Sequence, residues 1–186
     1  MRPTLLRLFA VASLSVTSFV GLTTVAGAHD ASQQPARVVR IQDDCDPQTF
    51  NAVLGAGACV GDGDTTFDEL VAELTEEGEA GAWSFSPERV TLGHGGRLRA
   101  RNLGGESHSF TRVRRFGPGC VAEVNEILGF PAGAMVRECR TPTWLRTLLA
   151  PGQALRVGAL QPGTHRFECL IHPWMRTTVR VQEARH

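Results

Sequence analysis

Residues 167–175 read Phe-Glu-Cys-Leu-Ile-His-Pro-Trp-Met. They decide how the rest of the chain is read. Upstream, Gln161-Pro162-Gly163 is a turn signal, and Thr164 to Cys169 has strand character, with Phe167 and Cys169 on one face of the alternation. Downstream, Thr177 to Gln182 alternates again as a last strand. The spacing C-x2-H-x2-M therefore puts a thiol, an imidazole and a thioether into one tight turn between two strands. A second imidazole, His108, opens an earlier strand directly after the turn residues Gly104-Gly105.

Each residue alone has an ordinary structural reading. Cys169 is a possible half-cystine, Met175 a possible core filler, and His108 and His172 possible core or surface histidines. The combination carries the argument. Two imidazoles and a thiolate in a trigonal plane, with a weak axial thioether, form the blue-copper electron-transfer site. The predicted ligands of one type 1 copper ion are thus His108, Cys169, His172 and Met175. Zinc is the rival metal, but it prefers Cys, His and carboxylates to a thioether. His94 in a Gly-rich turn and His186 at the terminus are read as solvated. His29 would chelate copper only if it became the first residue.

The same residues resemble the small cupredoxins of the plastocyanin/amicyanin kind. Cys169-x2-His172-Pro173-x-Met175 is similar to the short ligand loop of amicyanin. Ser86 to Leu92 resembles the strand before that family's first ligand region. Asn102 to His108 resembles its N-x5-H segment, and Pro162 to Cys169 its PGTYxFxC strand. The resemblance runs from Trp83 to Val181. It implies a copper-binding Greek-key β-sandwich and places Ser109 where a polar side chain ties two ligand loops together. Departures are His165 in place of Tyr, Arg176 in place of a Gly region, and a long insertion from Phe116 to Pro151.

Outward from the ligand strands, the pattern is short strands separated by Gly and Pro turns: Trp83–Phe85, Val90–Leu92, Leu98–Asn102, His108–Val113 and Leu155–Ala159. This spacing indicates an all-β sandwich, with a short helix near Val121–Leu128 inside the insertion. Residues 83–186 are assigned to this domain. Residues 29–82 form an acidic N-terminal extension that packs on it as one unit. The extension has a candidate strand at Arg37–Gln42 and a loop from Asp43 to Asp64. It has one helix, marked by the Thr66/Glu69 capping box and by Phe67, Leu70, Val71 and Leu74 at helical spacing.

The chain has 186 residues, balanced overall in charge. Its halves are not balanced: Asp30 to Glu88 holds thirteen acidic residues against two arginines, and Arg89 to His186 fifteen arginines against six glutamates. The basic half lacks the interleaved aromatics of a nucleic-acid surface. Packing of the acidic half on the basic half is the simpler expectation. Residues 1–28 have Arg2 and Arg7, a short apolar run from Leu8 to Val20, and Val25-Ala26-Gly27-Ala28, the layout of a secretory signal peptide. A retained anchor is the alternative. Export to the periplasm, cell envelope or medium suits cysteine pairing. Of five cysteines, Cys45 with Cys59 and Cys120 with Cys139 is the simplest scheme and leaves Cys169 free, although sequence leaves other pairings open. The expected function is non-enzymatic: a monomer carrying single electrons to a redox protein partner. Copper handling without electron transfer, or an interaction domain on this scaffold, is the alternative.

Overall fold

The computed structural model describes residues 36–184. The signal-like segment 1–28, the arm 29–35 and His186 lie outside the described residues. Among the described residues no helix is long and apolar enough to cross a membrane.

The chain runs β1 (Arg37–Gln42), α1 (Pro47–Leu54), α2 (Phe67–Glu77), β2 (Ser84–Ser86), β3 (Arg89–Leu92), β4 (Leu98–Asn102), β5 (His108–Ser109) and β6 (Thr111–Val113). It continues through α3 (Ala122–Ile127), β7 (Leu148–Leu149), β8 (Ala154–Val157), β9 (Gly163–Glu168) and β10 (Arg176–Val181). Two four-stranded sheets have the orders β2-β1-β4-β8 and β3-β10-β9-β6, and β5 pairs with β7 in a third, short ladder. The chain crosses between the large sheets repeatedly, as a β-sandwich requires.

Alternation makes the core. In β4 the pattern buries Leu98, Ala100 and Asn102 and exposes the arginines between them. In β10 it buries Thr177, Val179 and Val181. Between the sheets Phe110 stacks on Phe167 with centroids 4.6 Å apart, and Phe85 meets Phe110 at 5.2 Å. Burying such a ring stabilises the fold by about 1.5–3 kcal/mol from area alone.

The N-terminal segment is built into this frame. β1 pairs antiparallel with β2 and parallel with β4, so it lies inside a sheet. Where one helix and a loop were expected, the segment has two helices. α1 lies within residues 43–64. Asp46 caps it, accepting hydrogen bonds from the Gln48 and Thr49 amides at 3.2 and 2.9 Å, and Pro47 occupies the first turn. Its single buried side chain, Phe50, stacks on Trp83 at 5.8 Å and meets Phe67 edge-on at 5.4 Å. One buried residue in eight gives no apolar stripe, which is why periodicity misses this helix. α2 has the predicted capping box, buries Leu70 and Leu74, and stops at Gly78, whose φ of 75° suits a residue without Cβ.

The insertion also differs from a plain excursion. α3 lies where a short helix was expected, but the distal end returns as β7 and pairs with the strand that carries His108. The expected single strand His108–Val113 is split at Phe110: β5 joins β7, whereas β6 joins β9 in the main sheet. Both disulfides follow the nearest-neighbour scheme, Cys45–Cys59 and Cys120–Cys139, and Cys169 is free and buried.

Candidate metal centre

Three donor atoms meet at one end of the sandwich. β9 ends at Glu168, so Cys169 is the first residue of the turn into β10, and its amide donates to the Met175 carbonyl at 3.1 Å. The Met175 amide donates to the His172 carbonyl at 2.9 Å. These two bonds curl the C-x2-H-x2-M loop so that Cys169, His172 and Met175 all face inward, and Met175 is buried. His108 arrives from β5. Its Nδ1 lies 3.8 Å from the Cys169 sulfur and 3.1 Å from His172 Nδ1, and the His172 Nδ1 is also 3.8 Å from that sulfur. His108 and Cys169 are fully buried, and His172 is 5% exposed.

Ser109 joins the two ligand segments. Its hydroxyl accepts the Leu170 amide at 2.7 Å, and its own amide donates to the Cys169 sulfur at 3.4 Å. An N–H pointing at a buried sulfur favours the thiolate, the form that binds metal. His165, at the family's Tyr position, is buried and pairs its Nε2 with the Gln161 carbonyl at 2.7 Å. His94 is exposed and outside the centre.

Two carboxylates that sequence reasoning missed complete the surroundings. Asp43, just after β1, places Oδ2 2.7 Å from His108 Nε2, and both side chains are fully buried. Asp43 also accepts the Gly105 amide at 2.9 Å and the Glu106 amide at 3.2 Å. Glu106 places Oε2 3.8 Å from His172 Nε2 and accepts the Trp83 indole N–H at 2.6 Å. The only sequence trace of this arrangement is Gly104-Gly105, read as a turn. A Cβ on Gly104 would overlap the Asp43 carboxylate, and one on Gly105 would overlap Gly61. The glycines thus permit a close approach of two loops. Asn102 fixes the same loop by donating to the Glu106 and Leu149 carbonyls at 2.7 and 2.9 Å.

The electrostatics favour a cation. Burial pushes the Cys169 thiol up, but the facing His108 and His172 rings outweigh it and hold the thiol well below its ordinary value. Burial works against a charged His108, yet Asp43 and Cys169 raise its pKa to about 9. Burial likewise opposes ionised Asp43, and the hydrogen bond from His108 with the loop amides holds its carboxyl below the usual value. Positive charge between thiolate and carboxylate is what this pocket stabilises. His108, Cys169 and His172 form a cluster whose ligand atoms lie within 4.8 Å of one another, so the donor set fits a metal ion. Met175, from the same loop, is buried.

No family model matches the chain, and no curated protein matches it. Solved structures do. A purple cupredoxin from Nitrosopumilus maritimus is 14% identical, with 80% of this chain and all of that one covered, at a TM-score of 0.40. Amicyanin from Paracoccus versutus is 15% identical, with 82% and 88% covered, at 0.38. Plastocyanin from Dryopteris crassirhizoma is 19% identical, with 78% and 100% covered, at 0.38. The two four-stranded sheets give the β-sandwich that the sequence resemblance implied. Asp43 lies in the short link between β1 and α1.

Proposed function

We propose that the chain is an exported copper protein that holds one type 1 copper ion through His108, Cys169, His172 and Met175 and carries single electrons. The observation that supports this most is the convergence of two imidazole Nδ1 atoms on one buried, unpaired cysteine sulfur. Thiolate and thioether suit Cu(I), and imidazole suits either oxidation state. Copper would supply one-electron chemistry; the chain supplies a rigid, dry donor set. Cys169 and the imidazoles bind, Ser109 and Asn102 hold the loops, and burial excludes water. We read the role as that of a carrier and not an enzyme. Two disulfides and the signal-like residues 1–28 support export.

His172 is more covered than a turn position suggests. Glu106 lies beside it, and Trp174 packs edge-on with centroids 5.3 Å apart. Half-buried Trp174 lines a surface cleft with Glu88, Leu128, Phe130 and Arg176. The electron route to a redox protein partner therefore leads from His172 through the Trp174 face. Voltammetry of the mature protein with one copper per chain tests the carrier role. A reversible one-electron wave with fast exchange is expected. Tight copper binding without a reversible wave would favour copper handling instead.

A further inference from the structure

We infer that Asp43 is a positioning and potential-setting residue for His108, delivered to the centre by the N-terminal segment. This rests on the copper reading above and goes beyond it, because Asp43 lies outside the ligand set and outside the stretch Trp83 to Val181 whose sequence resembles that family.

Four observations carry it. The carboxylate is fully buried and 2.7 Å from His108 Nε2, the nitrogen that faces away from Cys169 and His172. It is fixed by amides of Gly105 and Glu106 from the loop leading to β5, and by the Cys45 amide at 3.4 Å. The Cys45–Cys59 disulfide anchors that loop two residues away. Gly104 and Gly105 leave room for the carboxylate and for Gly61 where any side chain would collide. A carboxylate in this position makes Nε2 the protonated nitrogen and leaves Nδ1 as the lone-pair donor toward the sulfur. It also raises the basicity of the ring, as an outer carboxylate does for a metal-bound histidine.

The charge count gives the direction. Cys169 thiolate and Asp43 carboxylate together carry two negative charges in a site closed to water. Cu(II) offsets both of these charges, and with the Glu106 carboxylate also beside His172, Cu(I) leaves one more negative charge uncompensated than Cu(II) does, which is costly in a buried site. Asp43 therefore favours the oxidised state and lowers the reduction potential.

The test is the reduction potential of copper-loaded Asp43→Asn beside wild type. The amide keeps the size and removes the charge. The equilibrium between Cu(II) and Cu(I) should shift at least tenfold toward Cu(I), a rise of about 59 mV for one electron. Asp46→Ala is the control for loosening of the loop: it uncaps α1, touches none of the four ligands and should leave the potential unchanged. Asp43→Glu, which keeps the charge, should return most of the shift. If Asp43→Asn folds, keeps its colour and shows the wild-type potential, the inference is overturned while the copper reading stands. If wild type itself shows no redox-active copper, both fall. Should Asp43→Asn fail to fold, the nitrogen NMR spectrum of wild-type Cu(I) protein decides. An exchange-protected proton on His108 Nε2 at unusually low field supports the inference, and a proton absent from Nε2 overturns it.

Discussion

Ser109 shows how much one hydroxyl can hold. It is fully buried, and its Oγ accepts the Leu170 amide next to the Cys169 ligand. Ser109→Ala leaves that buried amide without an acceptor, so stability should drop by about 1–3 kcal/mol. A lower urea midpoint at unchanged slope would show it. At this scale the meeting of His108, Cys169 and His172 and the tie made by Ser109 were legible in the sequence, because thiol and imidazole sit in one short loop and the upstream histidine follows its own Gly-Gly turn. Asp43 and Glu106 were not. A carboxylate among thirteen acidic residues carries no local signal, and its partner lies 65 positions away. Phe110→Ala should cost about 3–5 kcal/mol by opening a cavity between Phe85 and Phe167, measured by the same unfolding curve.

Among the elements, α2 was readable from its capping box and apolar spacing, whereas α1 was not, having only Phe50 to bury. Its signal was Asp46-Pro47, a cap followed by a first-turn proline. β7 was hidden too: two residues show no alternation, and their pairing with β5 is set by contacts across the insertion. The loop from Cys45 to Cys59 should be the most disulfide-dependent part of the molecule. Replacing both cysteines by serine should lower stability by about 2–4 kcal/mol. It should also weaken metal retention, because Asp43 loses its anchor; equilibrium unfolding and copper competition read the two effects separately. At the β9–β10 corner, burial raises the Glu168 carboxyl to about 7 although Arg176 pairs with it at 2.9 Å. An acid whose folded pKa exceeds its unfolded one keeps its proton longer when folded, so its contribution falls as pH rises from about 4.5 through 7. Glu168→Gln should flatten the decline in stability between pH 5 and 8, as pH-dependent unfolding would record.

For the whole molecule, the strand spacing predicted a sandwich, and the two four-stranded sheets have it. What the spacing could not convey is that the acidic segment is structural. What joins residues 36–82 to the rest is the β1 ladder, the Phe50–Trp83 stack and the Asp43 loop, contacts made at long sequence range. Covering of His172 by Glu106 and Trp174 narrows the surface through which electrons can pass. Trp174→Ala should slow electron exchange with a partner while leaving the copper spectrum nearly unchanged; unaltered exchange would place the docking face elsewhere. The central claim is that Cys169 binds copper as a thiolate between His108 and His172. The absorption spectrum of the copper-loaded protein tests it most directly. An intense visible thiolate-to-Cu(II) band is expected in the wild type, and its loss in Cys169→Ser. A colourless copper-loaded wild type, or a band that survives in Cys169→Ser, would contradict it.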